Sequence, residues 1–463
     1  MGLRFVLIVL LLFLVPGTAI PGQTERRIEE EARVSLEQTE LKTLEGKERL
    51  GFDYGGWFNV RYVDYKEDDN DSSAIDEFDC TSLIDSRIWL KATLKPPLDA
   101  SYENEHFFYL RVKDLYSESR PDETAGGGDH DGPHLDYAYL TLDAHPLWMT
   151  MGRQYFSIGR GIAYSNVNDG LDFLLSLPTW GVKTFIAHIL PHEENIDLSV
   201  PGYDKDSDRF YYGLEYSYTG IAEQHLYSYV VIQRDYSNEH PEDAGHDYSY
   251  NSEYFGLGAE GKIKSVISYW LEIIKERGKS FVYDTNEKKD VDAWASVLGV
   301  TYGPEVYSHP GITFEYAFGS GDRDRVSVTD TQYGNTSGKD KNFLYFGYIP
   351  TGYALSPRLS NLYFYRLGLS LKPLENNPVF KKLTLGADYY RYYKHKSSGG
   401  IYDTEATEDN KDVGSELDLN LGWHILSDLT CYLQYGHFRP GKAYPDATND
   451  SEDYFSASMI FTF

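Results

Sequence analysis

From Leu50 to its last residue the chain is written in short segments that alternate apolar and polar side chains, and nothing else limits its fold as strongly. A period of two sends successive side chains to opposite faces of a β-strand. In the first segment Phe52, Tyr54, Phe58, Val60 and Tyr62 share one face, and Asp53, Trp57, Asn59 and Arg61 the other. The second sets Ile84, Ile88, Leu90, Ala92 and Leu94 against Asp85, Arg87, Trp89, Lys91 and Thr93, with Ser86 the exception. The third opposes His106, Phe108, Leu110 and Val112 to Glu105, Tyr109, Arg111 and Lys113. The last opposes Phe455, Ala457, Met459, Phe461 and Phe463 to Tyr454, Ser456, Ser458 and Thr462.

Each segment has about ten residues, the length a tilted strand needs to cross a bilayer. A lipid face and a polar lumen require this alternation, but a soluble antiparallel sandwich shows it too. The connections separate the two. Segments are predicted near 51–63, 83–95, 105–115, 134–142, 148–156, 170–177, 181–190, 208–219 and 225–235. They continue near 251–262, 265–276, 290–302, 311–319, 358–371, 381–394, 413–424, 429–438 and 453–463. Short turns such as 178–180 and 220–224 alternate with long loops at 64–82, 116–133, 191–207, 236–250, 320–357 and 395–412. That is the pattern of an all-β, transmembrane antiparallel β-barrel of about 18 strands, with short periplasmic turns and long extracellular loops. The barrel occupies 50–463, with both of its ends in the periplasm. Within the 320–357 loop, Phe343 to Ile349 has strand character of its own.

Composition agrees. The 463 residues include 72 acidic and 43 basic side chains, a formal net charge of −29, which excludes a phosphate-seeking nucleic-acid surface. Aromatics make up 15 %, with 41 Tyr, which excludes acidic disorder. Beyond the N-terminus there is no apolar run long enough for a membrane helix. Residues 1–19 have a basic start at Arg4, an apolar core from Phe5 to Val15 and small residues to Ala19, the shape of a secretory signal peptide rather than a spanning anchor. Residues 20–49 are rich in charge and in helix formers, which predicts a helical periplasmic extension. Cys80 and Cys431 are too few for a disulfide framework and read as two thiols.

Charge is distributed unevenly. Loops 64–82, 191–207 and 236–250 are acidic, and they either solvate a rim or hold a divalent cation. Asp204, Asp206 and Asp208 have the alternate-carboxylate spacing that Ca²⁺ uses, without the full EF-hand pattern, and no other cofactor is indicated. On the polar strand faces Arg61, Arg87, Lys91, Arg111 and Lys113 form an early basic wall, joined by Lys262 and Arg366. Acids dominate later, at Glu215, Glu260, Asp292, Glu315, Asp388, Glu416 and Asp418. Such walls either select solutes by charge or pair with one another and stiffen the barrel. The chain shows no G-x-S-x-G and no H-E-x-x-H, and His188 and His424 have no evident partner, so no enzyme is predicted.

Three stretches resemble the alginate export family of outer-membrane channels. Met151-Gly152-Arg153-Gln154 through Gly161 is similar to its "GRQ…G" stretch, and Asn168-Asp169-Gly170-Leu171-Asp172-Phe173 to the stretch that follows it. Gly436-His437-Phe438-Arg439-Pro440-Gly441 resembles the family's "G-x-F-x-P-G" before the closing strand. The resemblance covers roughly 50–463. It implies a monomeric barrel passing an anionic polysaccharide, such as alginate, through an Arg/Lys-lined constriction, and it adds Arg153 to the lumen set. It further implies outer-membrane lipid and lipopolysaccharide around the barrel and the barrel assembly machinery to insert it. Strict alternation from Leu147, Met149 and Met151 would place Arg153 on the lipid face, so a bulge at Gly152 is expected. Loop 320–357, with Gly319, Gly321 and Gly338 as flexible points, is the gate candidate. The inward acids at least equal the bases in number, which leaves a porin for small neutral or cationic solutes, or a plugged structural barrel, as alternatives.

Overall fold

The computed structural model describes residues 50–66, 80–94, 106–120, 127–190, 208–236, 249–282, 287–325, 327–329 and 334–463. The strands are β1 (Leu50–Lys66), β2 (Cys80–Leu94), β3 (His106–Arg120), β4 (Gly127–Ala144), β5 (Leu147–Ser157) and β6 (Ser165–Ser176). They continue with β7 (Trp180–His188), β8 (Arg209–Tyr218), β9 (Gln224–Asp235), β10 (Asn251–Ile263), β11 (Ile267–Phe281) and β12 (Lys288–Tyr302). The last are β13 (Gly311–Gly319), β14 (Leu362–Leu371), β15 (Leu383–Lys394), β16 (Asp412–His424), β17 (Leu429–Pro440) and β18 (Glu452–Thr462). Each strand pairs antiparallel with the next, and β18 pairs with β1, so the eighteen-stranded sheet closes. Closure is what lipid demands, because an open edge would leave unsatisfied backbone groups in hydrocarbon. At the seam Phe463 and Gly56 exchange two backbone hydrogen bonds of 3.0 Å.

The faces follow the alternation. Phe52, Tyr54, Val60, Tyr62, Ile88 and Leu90 are exposed outward, whereas Trp57, Arg61, Asp85 and Arg87 are buried inward. Two differences from the sequence expectation have local causes. Strand β4 starts at Gly127 rather than near 134, because Gly128, Asp129 and His130 pair through their backbone with Glu118, Ser117 and Tyr116. Such a stretch has no side-chain alternation to read. The Phe343–Ile349 piece forms no strand. Its Phe346 makes only an isolated parallel bridge, to Tyr164.

Glycine and aromatic residues fit each other across the ladder. Trp89 stands opposite Gly55, Phe185 opposite Gly213, Tyr229 opposite Gly256, Tyr227 opposite Gly258 and Trp270 opposite Gly299. A Cβ at Gly213, Gly256, Gly258 or Gly299 would stand inside the facing ring, so each ring lies over bare backbone on the inner wall. We expect Gly256→Val to lower stability by about 1–3 kcal/mol through overpacking against Tyr229. Gly303→Ala, where nothing lies within 4 Å, should stay within about 0.5 kcal/mol. Urea unfolding of the barrel refolded in liposomes measures both.

Candidate functional site

Two connections leave the wall and enter the bore. Residues 158–164 follow β5, and 320–361 join β13 to β14. Their residues Ile158, Ile162, Tyr164, Phe343, Leu344 and Leu359 are buried. The two run together: Phe346 N–H donates to Ala163 C=O at 3.1 Å, and Tyr348 N–H to Gly161 C=O at 3.0 Å. The Phe346 ring lies 5.3 Å from Tyr211 on β8, and the Tyr353 ring 5.9 Å from Tyr454 on β18. Since β8 and β18 lie on opposite arcs of the ring, the segment crosses the bore.

Peptide groups carried into the bore need partners there. Inward carboxylates supply them. Glu416 accepts the N–H groups of Tyr353, Ala354 and Leu355 at 2.6, 2.7 and 3.3 Å, and the Tyr392 hydroxyl at 3.0 Å. Glu276 accepts Leu344 N–H at 3.0 Å and the Tyr250 hydroxyl at 2.5 Å. Glu272 accepts Arg160 N–H at 2.8 Å and the hydroxyls of Tyr227 and Tyr229 at 2.6 and 2.7 Å. Glu215 accepts Gly159 N–H at 2.8 Å. Glu272 and Glu276 are 0 % exposed and Glu416 is 1 %, so none of the three presents its charge to a passing solute. Glu272 and Glu276 are absent from the acids named from sequence. The readable signal was Ile274 between them on the same inward face: an apolar residue in that position implies a filled lumen rather than open water.

The basic wall divides in two. Arg61 donates to the Tyr454 hydroxyl at 3.0 Å and the Ser456 hydroxyl at 3.2 Å. Arg87 holds Asp85 and Asp136 at 2.7 and 3.0 Å, and Arg111 donates to Asp136 at 2.6 Å. Both guanidiniums lie over the Trp57 ring, at 5.4 and 5.0 Å. All three arginines are buried inside this network, where charge is neutralised and rings cover the cations. Arg366 is held by Asp388 at 2.7 Å with Glu315 at 3.8 Å. Lys91 and Lys113 are different: both are half-buried, and neither forms an ion pair among the described residues. Arg153 requires a correction. The register passes Gly152 without a shift, so no bulge turns Arg153 inward. It stays on the face of Leu147, Met149 and Met151, where Asp169 meets it with two hydrogen bonds of 3.0 Å and Leu135 C=O accepts a third. Pairing is what lets a cation sit on that side of the wall.

At the long-loop end the segment is fastened again. Asn361 accepts Lys396 N–H at 2.8 Å, and His395 Nδ1 accepts Gly321 N–H at 2.9 Å. Gly319 and Gly321 are not flexible points. A Cβ there would strike Leu359 C=O and the Asn361 amide, so close packing is what requires glycine. Gly338, at φ +70° with nothing within 4 Å, is open. His188 has Asp208 at 2.8 Å, and His424 has Thr430 at 2.9 Å, partners that sequence reading did not find because they lie across connections or strands. Asp204 and Asp206 lie outside the described residues, as do residues 1–49 and most of the acidic 64–82 and 236–250 loops. Among the described residues no group of three His, Cys, Asp or Glu is placed to hold a metal.

Two outcomes follow from this anchoring. Glu416→Leu leaves three amides without their acceptor, at about 1–3 kcal/mol for each buried donor. Single-channel recordings should then show frequent current fluctuations that the parent barrel lacks, and protease should cut within 350–356. Burial, followed by the charges of Lys396 and Lys411, pushes the His395 imidazole from 6.5 down to about 4. Between pH 6.5 and about 4 the unfolded chain takes up a proton that the folded His395 refuses, so the fastening of Gly321 to His395 loses stability as pH falls through that window. Hydrogen exchange at the Gly321 amide should quicken over the same range, corrected for the intrinsic rate.

A family profile described as alginate export matches residues 117–458, well over half of the chain. No curated protein is similar in sequence at a significant level. Solved structures share the fold. Pseudomonas aeruginosa OccK8 (OprE) superposes with a TM-score of 0.54 at 14 % identity, covering 89 % of this chain and 98 % of its own. Pseudomonas aeruginosa OccD3 (OpdP) gives 0.53 at 11 % identity, covering 96 % and 99 %. Acinetobacter baumannii OccAB4 gives 0.53 at 12 %, covering 89 % and 98 %. At such identities the likeness is one of architecture. The matched profile, the closed eighteen-stranded sheet and its outward apolar face agree, and the chain belongs to the alginate export family of bacterial outer-membrane β-barrel channels.

Proposed function

We propose that this barrel passes an anionic polysaccharide of the alginate type down its gradient. The observation that carries this reading is the use to which the inward acids are put. Counted from sequence, they would repel a polyuronate. In the fold Glu416 among them is spent on amide and hydroxyl groups and Asp85 and Asp388 on arginines, and the further inward acids Glu272, Glu276 and Asp136 are spent in the same ways. What faces the bore without a carboxylate partner among the described residues includes Lys91 and Lys113. Isolated cations on a polar wall attract carboxylates weakly and repeatedly, as a chain that has to leave as well as enter requires. Arg61, Arg87, Arg111 and Arg366 then act on the solute through the neutralised wall they build rather than by direct contact, and Arg153, paired with Asp169 on the outer face, takes no part in passage.

Planar-bilayer recording of the refolded chain tests this. Reversal potentials should show anion preference, and added polyuronate should block. Lys91→Glu with Lys113→Glu should move the permeability ratio toward cations by about twofold or more. The segment across the bore narrows the space for a polymer and favours a second reading, a substrate-specific porin for small neutral or cationic solutes. A cation-selective pore indifferent to polyuronate would establish that reading instead, and a barrel without conductance would be a structural one.

A further inference from the structure

One stretch of inner wall beside the paired arginines carries a row of aromatic side chains, whose Tyr109 and Tyr139 meet edge-on the Tyr137 ring that lies under Arg111. On β2, β3 and β4 the inward rings of Trp89, Tyr109 and Tyr139 make a row. Trp89 and Tyr109 have centroids 6.0 Å apart with planes 20° from parallel, and Tyr109 and Tyr139 are 5.2 Å apart at 27°. Near-parallel rings at these spacings overlap like tiles, because rings lying edge to edge need more room. Trp89 sets the tilt: its indole lies within 2.7 Å of where a Cβ on Gly55 would be, so it rests against the β1 backbone. Phe107 meets Tyr139 edge-on at 6.1 Å. Lys91, two residues from Trp89 on the same face, holds its ammonium 4.3 Å from the Phe107 centroid.

Other inward aromatics have no access to a solute. Tyr227, Tyr229, Tyr254, Tyr390 and Tyr392 are at most 3 % exposed and lie in the core built around the crossing segments. Trp89, Phe107, Tyr109 and Tyr139 are only half-buried, and they face the bore. We infer that this row is a sugar-ring subsite, with Lys91 placed to meet the carboxylate of a uronate residue. A pyranose presents a face of C–H groups that packs against an aromatic ring, and the negative π-face favours those polarised hydrogens. Tiled rings suit a chain of such residues, because the sugar can step from one ring to the next without losing contact. The uronate part of this inference rests on the anionic-polysaccharide reading above; the sugar-stacking part does not.

The test is single-channel block of the full barrel by three probes: an oligouronate, a polyglutamate of matched length and charge, and a neutral malto-oligosaccharide. Trp89→Leu should shorten oligouronate dwell times about fivefold and leave polyglutamate dwell times as they are. Trp89→Phe should restore most of the loss, and Lys91→Gln should shorten oligouronate block without touching malto-oligosaccharide block. Tyr139→Leu gives the same readout should the Trp89 variant fail to insert. Equal effects of Trp89→Leu on polyglutamate and oligouronate, or none on either sugar, would overturn the subsite. Malto-oligosaccharide block that depends on Trp89, with no oligouronate block in the parent, would keep the sugar row and remove the anionic cargo.

Discussion

A peptide segment that enters a bore brings its N–H groups with it, and those groups have to be answered by the wall. In this barrel the answer is a set of glutamates, each on an inward strand position and accepting from one donor at Glu215 to four at Glu416. Glu416 alone takes three successive amides and a tyrosine hydroxyl. The path of 340–361 is therefore written on β11 and β16 as much as in the segment itself. The same constraint accounts for the many buried hydroxyls. Tyr254 donates to Leu344 C=O at 2.6 Å, and the one Tyr392 hydroxyl proton is shared between Thr351 C=O at 2.6 Å and Glu416 at 3.0 Å, so the carbonyls of the segment are met as well as its amides.

The wall is thin where the rings need room. Cross-strand pairs of glycine and aromatic residue let a ring lie over bare backbone, which fills the inner wall without narrowing it by a full side chain. The seam uses the same device: the Phe463 ring occupies the space beside Gly56, where any Cβ would also press on Arg87 C=O.

Most of the barrel could be read from the chain. Period two, strand length and the alternation of short and long connections specify eighteen strands and their faces, since a lipid boundary penalises any other assignment. What could not be read was the interior, because two long-range facts govern it. The first is which segments fold inward. Arg160 and Leu344 look like ordinary loop residues until Glu272 and Glu276 are seen accepting their amides. The second is which charges meet. Arg87 and Asp136 are distant in sequence and share one salt bridge. Arg153 differs for another reason: strict alternation was right, and Asp169, directly opposite on the adjacent β6, supplied the partner that made an outward arginine tolerable.

A ring of eighteen tilted strands has little inherent resistance to being flattened, because each strand is joined only to its two neighbours. The segment that meets β8 through Phe346 and β18 through Tyr353, and is fastened to Glu276 and Glu416 between them, works as a spar across that ring. It converts lateral pressure from the bilayer into load on a few buried hydrogen bonds, and so holds the bore open. The cross-section open to a solute is then set by the same carboxylates that hold the barrel in shape, and a change that softens one alters the other.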